Sequence, residues 1–148
     1  MKPKIIDLIK DKELAVQQDQ FKFLLNQAPP EQWIKKNPYA KNAEYLPIDK
    51  IEHLLDTLFQ QWKVEILESK PVFNAIQVTV RVHYLDPVTN TWLFHDGVGA
   101  SELQTAQGTG ILKPDFSNLN KGAIEIAAPK AKSEAIKDAA DHLGRLFG

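Results

Sequence analysis

The residues best suited to acid–base or metal chemistry in this sequence are its four histidines, His53, His83, His95 and His142. No two of them stand four positions apart on a helix, but His83 and His95 flank a predicted turn, and Asp96 follows the second. If the flanking segments pair as strands, these three side chains could hold a metal ion or transfer a proton. Because a metal site needs several converging ligands, we expect instead two histidines on the polar face of a half-solvated sheet.

Other patterns typical of catalysis are missing from the sequence. Gly108 and Gly110 lie close together, but the Gly-Lys-Ser/Thr of a phosphate loop does not follow them. No serine stands in a nucleophile elbow, no pair of carboxylates stands out, and there is no cysteine. We therefore predict that the protein is not an enzyme and uses no metal or other cofactor.

A second possible chemistry is the binding of phosphate groups by basic side chains. Arg81 lies on the polar face of a predicted strand, and Lys50 stands early in a predicted helix. The last predicted helix carries two lysines and two carboxylates in one row, Lys130, Glu134, Lys137 and Asp141. Each feature also has a simpler interpretation, because a solvated strand face or a helix-surface ion pair needs no ligand. Spacing alone leaves both interpretations open.

Three stretches have the apolar spacing of helices that would position these residues. The first covers about residues 10–27 and ends at a pair of prolines, and the second covers about residues 47–60. The third ends near Phe147 and begins at about Pro129, or already at Ala123. Its small apolar residues would allow another backbone to approach closely.

The segment between the second and third helices alternates with a period of two, which is typical of strands. Strands are predicted at residues 62–66, 76–84 and 91–100, with a hairpin connection between the last two. We expect Trp62 and Trp92 in the core, because each is in register with apolar neighbours.

The glycines of the last predicted strand, Gly97 and Gly99, weaken a strand interior. They indicate a bulge or a close approach of another backbone.

The predicted fold class is α+β, a three-stranded antiparallel β-meander with helices on its apolar face, in a β-β-β-α core. We predict one domain over residues 1–148, with a helical N-terminal arm at 1–40, including at most a short helix at 31–36, and the core at 41–148. The loop at 104–120 is long enough to be functional. Since a narrow sheet has exposed edges, we also expect edge pairing between subunits.

Composition supports a globular domain and excludes several classes of protein. The 148 residues are 43% hydrophobic and 25% charged, no apolar run approaches membrane-spanning length, and the first residues do not resemble a signal peptide. We therefore expect a cytoplasmic protein. The formal net charge is −1, with +2 in residues 1–50, −4 in 51–112 and +1 in 113–148. A basic site would therefore require the two ends of the chain to meet.

Three segments, in order, are similar to one protein family. The first is Tyr45-Leu46-Pro47-Ile48-Asp49-Lys50 and its continuation to Trp62, and the second is Val80-Arg81-Val82 followed by His95-Asp96-Gly97-Val98-Gly99. The third is the alanine-rich run from Ala131 to Gly148, with a Lys after Ala135-Ile136 and a Leu-Gly…Phe-Gly ending. Together they resemble the single-strand annealing proteins of the Rad-fifty-two family, which includes DdrA-like bacterial proteins and phage recombinases of the Redβ/RecT-like superfamily.

The resemblance implies a β-β-β-α core that assembles into rings or helical filaments. In that family single-stranded DNA lies in a positively charged groove, with its backbone inward and its bases presented to a complementary strand, and no nucleotide is hydrolysed. By position, Lys50 replaces a groove arginine and Lys137 matches the first residue of a basic pair. Asp138 and Asp141 depart from the family, since they stand where it has basic residues.

From residues and resemblance together we predict single-stranded DNA binding and ATP-independent annealing in recombination or repair, by an oligomer that is phage-encoded or bacterial and nucleoid-associated. A single-strand binding protein or a nuclease is a further predicted partner, and no membrane is expected. The predicted DNA-binding residues are Lys50, Arg81, Lys130, Lys132, Lys137 and Arg145. Three alternatives remain open: a module that protects DNA ends without annealing, an enzyme using His83, His95 and Asp96, and a structural oligomer without a ligand.

Overall fold

The computed structural model describes residues 11–103 and 122–148, so the predicted loop at 104–120 lies outside the described residues. The described helices are α1 (Lys12–Leu25), α2 (Ile48–Leu58) and α3 (Ala123–Asp141). The described strands are β1 (Lys35–Asn37), β2 (Ala43–Tyr45), β3 (Trp62–Val72), β4 (Ala75–Leu85) and β5 (Trp92–Glu102). Short 3-10 turns occur at Glu31–Trp33, Pro38–Ala40 and Arg145–Phe147.

The main sheet is antiparallel with the order β3-β4-β5, and the fold is α+β as predicted. The β4–β5 connection is held by Asp86, whose Oδ1 accepts hydrogen bonds from the backbone N–H groups of Val88 at 2.8 Å and Thr89 at 3.2 Å. This carboxylate stabilises the turn that the Asp-Pro sequence predicted.

The inner face of the sheet forms the core together with α2 and α3. Four residues of β4 are buried in the predicted alternation, Val78, Val80, Val82 and Tyr84. Helix α2 buries the stripe Ile51, Leu54 and Leu55, and α1 adds Leu25. Phe21 of α1 also packs edge-on against Phe59, at 5.7 Å between ring centroids.

The orientation of β5 differs from the prediction. Trp92, expected in the core, is 48% exposed on the outer face, and Gly97 and Gly99 occupy the inward register instead. The physical reason is the closeness of α3: a Cβ at Gly99 would overlap backbone atoms of Ala131 and Ala135. The close approach that the glycines indicated is therefore confirmed, and the register shift of the sheet lies elsewhere, in β3 between Ile66 and Glu68.

Helix α3 matches the longer of its two predicted versions. It begins at Ala123 and keeps Pro129 in its interior, and it ends at Asp141 rather than near Phe147. Gly144, with φ of 145°, separates the helix from the terminal 3-10 turn. This conformation is accessible to glycine and strained for other residues.

The other tryptophan and the N-terminal segment follow the sequence more closely. Trp62 packs against the core, and its Nε1 donates to Asp56 Oδ1 at 2.7 Å. The predicted short helix at 31–36 is limited to a 3-10 turn at 31–33. Strand β1 follows it and pairs with β2, so this hairpin lies across the predicted boundary between arm and core at residue 40. Among the helices of the described residues, none combines the length and the apolar character needed to cross a bilayer.

The glycine contact generates a stability prediction. Gly99→Ala should lower the free energy of unfolding by about 2 kcal/mol or more, because rigid backbone atoms of α3 must shift to admit the new methyl group. Urea denaturation followed by circular dichroism measures the change. Ala100→Val, at the neighbouring exposed position, is the matched control and should have little effect. Equal stability of Gly99→Ala and the wild type would contradict the close approach.

Candidate nucleic-acid interface

A groove of about 680 Å³ lies beside the edge of the main sheet. Its walls come from the C-terminal half of α3, from β5 and from β2 with the residues that follow it. The side chains that matter for binding are Glu44, Tyr45, Glu134, Lys137, Asp138, Asp141 and Arg145.

The docking of α3 determines which of its side chains reach this groove. The alanines Ala131, Ala135 and Ala139 are fully buried against the sheet, so the polar row on another side of the helix faces the groove. Asp138 stabilises the packing of α3 against β5, because its Oδ2 accepts a hydrogen bond of 2.9 Å from the backbone N–H of Val98. This carboxylate therefore binds the edge of β5.

Lys137 is the cation placed deepest in the groove. Its Nζ lies 2.9 Å from Glu134 Oε1 and 5.1 Å from the centroid of the Tyr45 ring, and its side chain is 19% exposed. Lys137 therefore forms a helix-surface ion pair with Glu134, three positions earlier in the row. The ammonium group is held over an aromatic ring at the groove wall, where a ligand phosphate or base could meet both.

The charge of the groove lining is net acidic. Lys137 and Arg145 stand against four carboxylates, those of Glu44, Glu134, Asp138 and Asp141. Burial raises the pKa of Asp141, and the neighbouring charge of Asp138 raises it further, against the opposing influence of His142 and Lys137. The groove of one chain therefore differs from the positively charged groove that the resemblance implied.

The structure brings together two of the six predicted DNA-binding residues in this groove, Lys137 and Arg145. Lys130 is exposed and continues the same helical row toward the N-terminus of α3. Lys132 is also exposed but lies about 200° around the helix from Lys130, so it serves a different surface. Lys50 is on α2, with its Nζ 5.3 Å from the Trp33 ring centroid.

Arg81 lies on the outer face of the sheet, opposite the side covered by α3. Its guanidinium makes two hydrogen bonds to Asp96, at 2.7 and 3.0 Å, and stacks over Phe94 at 4.1 Å. The hydrogen bond to Asp96 raises the pKa of Arg81, and the same bond lowers the pKa of Asp96. Two of its N–H donors are engaged by Asp96, so a phosphate would have to compete with this ion pair, as it would with Glu134 at Lys137.

The possible catalytic trio does not assemble. His83 and Asp96 are on the outer face, where His83 Nε2 is 3.0 Å from Glu65 Oε2, whereas the adjacent register places His95 on the inner face. In residues 11–103 and 122–148, no three His, Asp or Glu side chains converge in a way that could hold a metal ion.

Sequence reasoning missed a cationic hairpin beside the groove. Strands β1 and β2 carry Lys35, Lys36 and Glu44, and the turn between them carries Tyr39 and Lys41. Each strand has only three residues, which is too short for a period-two pattern to be recognised. The available signal was Asn-Pro turn chemistry enclosed by lysines.

Comparison with known proteins adds no assignment: no protein-family model matches the chain, and no curated protein matches it significantly.

A second, smaller cavity lies near two stacked histidines. The rings of His95 and His142 are 5.3 Å apart and nearly parallel, and Tyr84 stacks on the other side of His95 at 5.6 Å. Burial lowers the pKa of His95, and charge on His142 lowers it further, while Asp96 opposes both. The stack therefore favours neutral His95.

This stack predicts an acid-sensitive stability. The pKa of His95 in the folded state is below the ordinary value of about 6.5, so the unfolded chain binds more protons near and below that pH. The free energy of unfolding should therefore decrease as the pH falls below about 6.5. His95→Gln should reduce the loss of stability between pH 7.5 and 5.5, measured by urea denaturation at each pH. Leu93→Gln, which changes another residue of the same cavity without adding or removing a titratable group, is the matched control and should keep the wild-type pH dependence. An unchanged pH dependence in His95→Gln would contradict the role of the stack.

Proposed function

We propose that the protein binds single-stranded DNA and anneals complementary strands as an oligomer, without nucleotide hydrolysis. The observation that carries the proposal is the groove in which α3 presents Lys137 over Tyr45 beside Arg145. A cation and an aromatic ring at one surface match the two parts of single-stranded DNA, its phosphates and its bases. The resemblance points to the same helix and to the same lysine.

The weak charge of one chain supports a requirement for assembly. Two groove cations among four carboxylates can neutralise few phosphates in one subunit. Aligned subunits would add their contacts along one strand, and the affinity would rise with the number of subunits engaged. A ring or a filament is the proposed form of this assembly.

The edges of the main sheet favour a particular route to assembly. Among the described residues β3 and β5 are the two edge strands, and each has eleven residues. On β5, Asp138 already accepts the Val98 N–H. Helix α3 packs mainly against β5 and β4, so we propose that the backbone of β3 is available to pair with a neighbouring subunit.

Because the groove lining contains both cations and carboxylates, removing one or the other should change DNA binding in opposite directions. Lys137→Ala should weaken binding of a fluorescent 20-nucleotide single strand and should reduce the steepness of its salt dependence, because one phosphate contact is removed. Asp141→Asn should strengthen binding at pH 7, because it removes a negative charge from the groove without changing the size of the side chain. Fluorescence anisotropy at several salt concentrations, with light scattering on the same samples, measures affinity, salt slope and assembly together.

The matched control for charge is Lys12→Ala, which removes an exposed lysine from the first turn of α1, outside the groove. Its affinity should stay within about twofold of the wild type. A wild-type assembly that ignores single-stranded DNA, or binding that does not depend on salt, would overturn the proposal. A preference for duplex ends without annealing would favour the end-protecting alternative.

A further inference from the structure

We propose that the tip of the β1–β2 hairpin is a second contact for single-stranded nucleic acid, in which Tyr39 stacks on a nucleobase. The inference rests on the proposed function and extends it beyond the groove. Its basis is a fixed turn, a fully exposed aromatic ring and a local excess of lysine.

The tip has a defined conformation. Asn37 Oδ1 accepts a hydrogen bond from the Tyr39 backbone N–H at 3.0 Å, and the Asn37 carbonyl accepts one from the Asn42 N–H at 3.0 Å. Lys41 and Asn42 both adopt left-handed backbone angles, with φ of 53° and 57°. Such angles are disfavoured for Lys41, whereas asparagine adopts them more readily, so the turn that places Tyr39 at its end holds one lysine in a costly conformation.

Tyr39 is exposed in a way that folding does not explain. Its relative exposure is 98%, compared with 7% for Tyr84 in the core and 39% for Tyr45 beside Lys137. An aromatic ring in full contact with water contributes almost no buried area to the fold. The same ring on a fixed turn loses little entropy when a flat apolar partner stacks on it.

The charge around the tip selects the partner. Three lysines, Lys35, Lys36 and Lys41, lie on the hairpin against a single carboxylate, Glu44, whereas the facing helix supplies mostly carboxylates to the groove. Cations around an exposed aromatic ring are the arrangement by which proteins hold single strands without reading their sequence. Carboxylates of a second copy, such as those of its groove, could also face these lysines, and light scattering in the test below distinguishes the two partners.

The tip is also within reach of a strand bound in the groove. Glu44 and Tyr45 line the groove, and Tyr39 is six residues before Tyr45 on the same hairpin. Six residues span at most about 20 Å, so a strand that leaves the groove along this wall passes the tip. The hairpin thus extends the binding surface outward from Lys137.

The test uses Tyr39→Ala and Tyr39→Phe in the full chain, with two oligomers of equal phosphate number, a deoxythymidine 20-mer and an abasic 20-mer. Tyr39→Ala should weaken binding of the thymidine strand about tenfold and leave the abasic strand within twofold, since only the former has bases to stack. Tyr39→Phe should restore the affinity. The salt slope should stay at its wild-type value in both variants, in contrast to Lys137→Ala.

The outcomes separate this inference from the proposed function. If the wild type binds the thymidine strand and Lys137→Ala weakens it, but Tyr39→Ala does not, the inference is wrong and the proposed function stands. If Tyr39→Ala changes the mass of the assembly by light scattering and leaves the affinity per subunit unchanged, the tip contacts a second copy, which also overturns the inference. If the wild type binds neither oligomer, both the inference and the proposed function are wrong.

Discussion

Helix α3 lies so close to β5 that the strand positions facing it must be glycine. The helix positions at this contact are alanine, whose small side chain allows the close approach. Gly97 and Gly99 face Ala131, Ala135 and Ala139, and a Cβ at either glycine would meet helix backbone. Backbone groups in such close contact resist rotation and sliding, because no flexible side chain separates them. The position of α3, and with it the orientation of its polar row, follows from this contact.

The groove is a consequence of the same geometry. With its alanine side against the sheet, α3 can turn only its row of Glu134, Lys137, Asp138 and Asp141 toward the hairpin. Asp138 then reaches the Val98 N–H at the strand edge, which gives this carboxylate a structural role. The contact with this particular sheet edge thus gives a structural reason for an acidic residue at position 138.

The sheet, the three helices and the close approach at the glycines could be predicted from the sequence. Helices and strands have a periodic spacing of apolar residues, and two glycines within a strand are an unusual composition. It was not sufficient for the face of β5, because the large residues Trp92 and Phe94 suggested a core register that α3 leaves no room for. Of the two predicted DNA-binding residues that line the groove, Lys137 was indicated by its position in the resemblance and Arg145 only by its charge. The partner of Arg81 and the lysine hairpin were missed, because a cross-strand ion pair and a three-residue strand have no periodic signal.

The central claim is that the groove cations of many assembled subunits bind one DNA strand and leave its bases free to pair with a complementary strand. The most direct measurement is the rate at which two complementary oligonucleotides, labelled for fluorescence resonance energy transfer, form a duplex with the protein present and no nucleotide added. The proposal predicts a rate well above the spontaneous one, highest when protein coats the strands at low salt, and lost at high salt. A rate equal to the spontaneous one, under conditions in which both strands are bound, would contradict it.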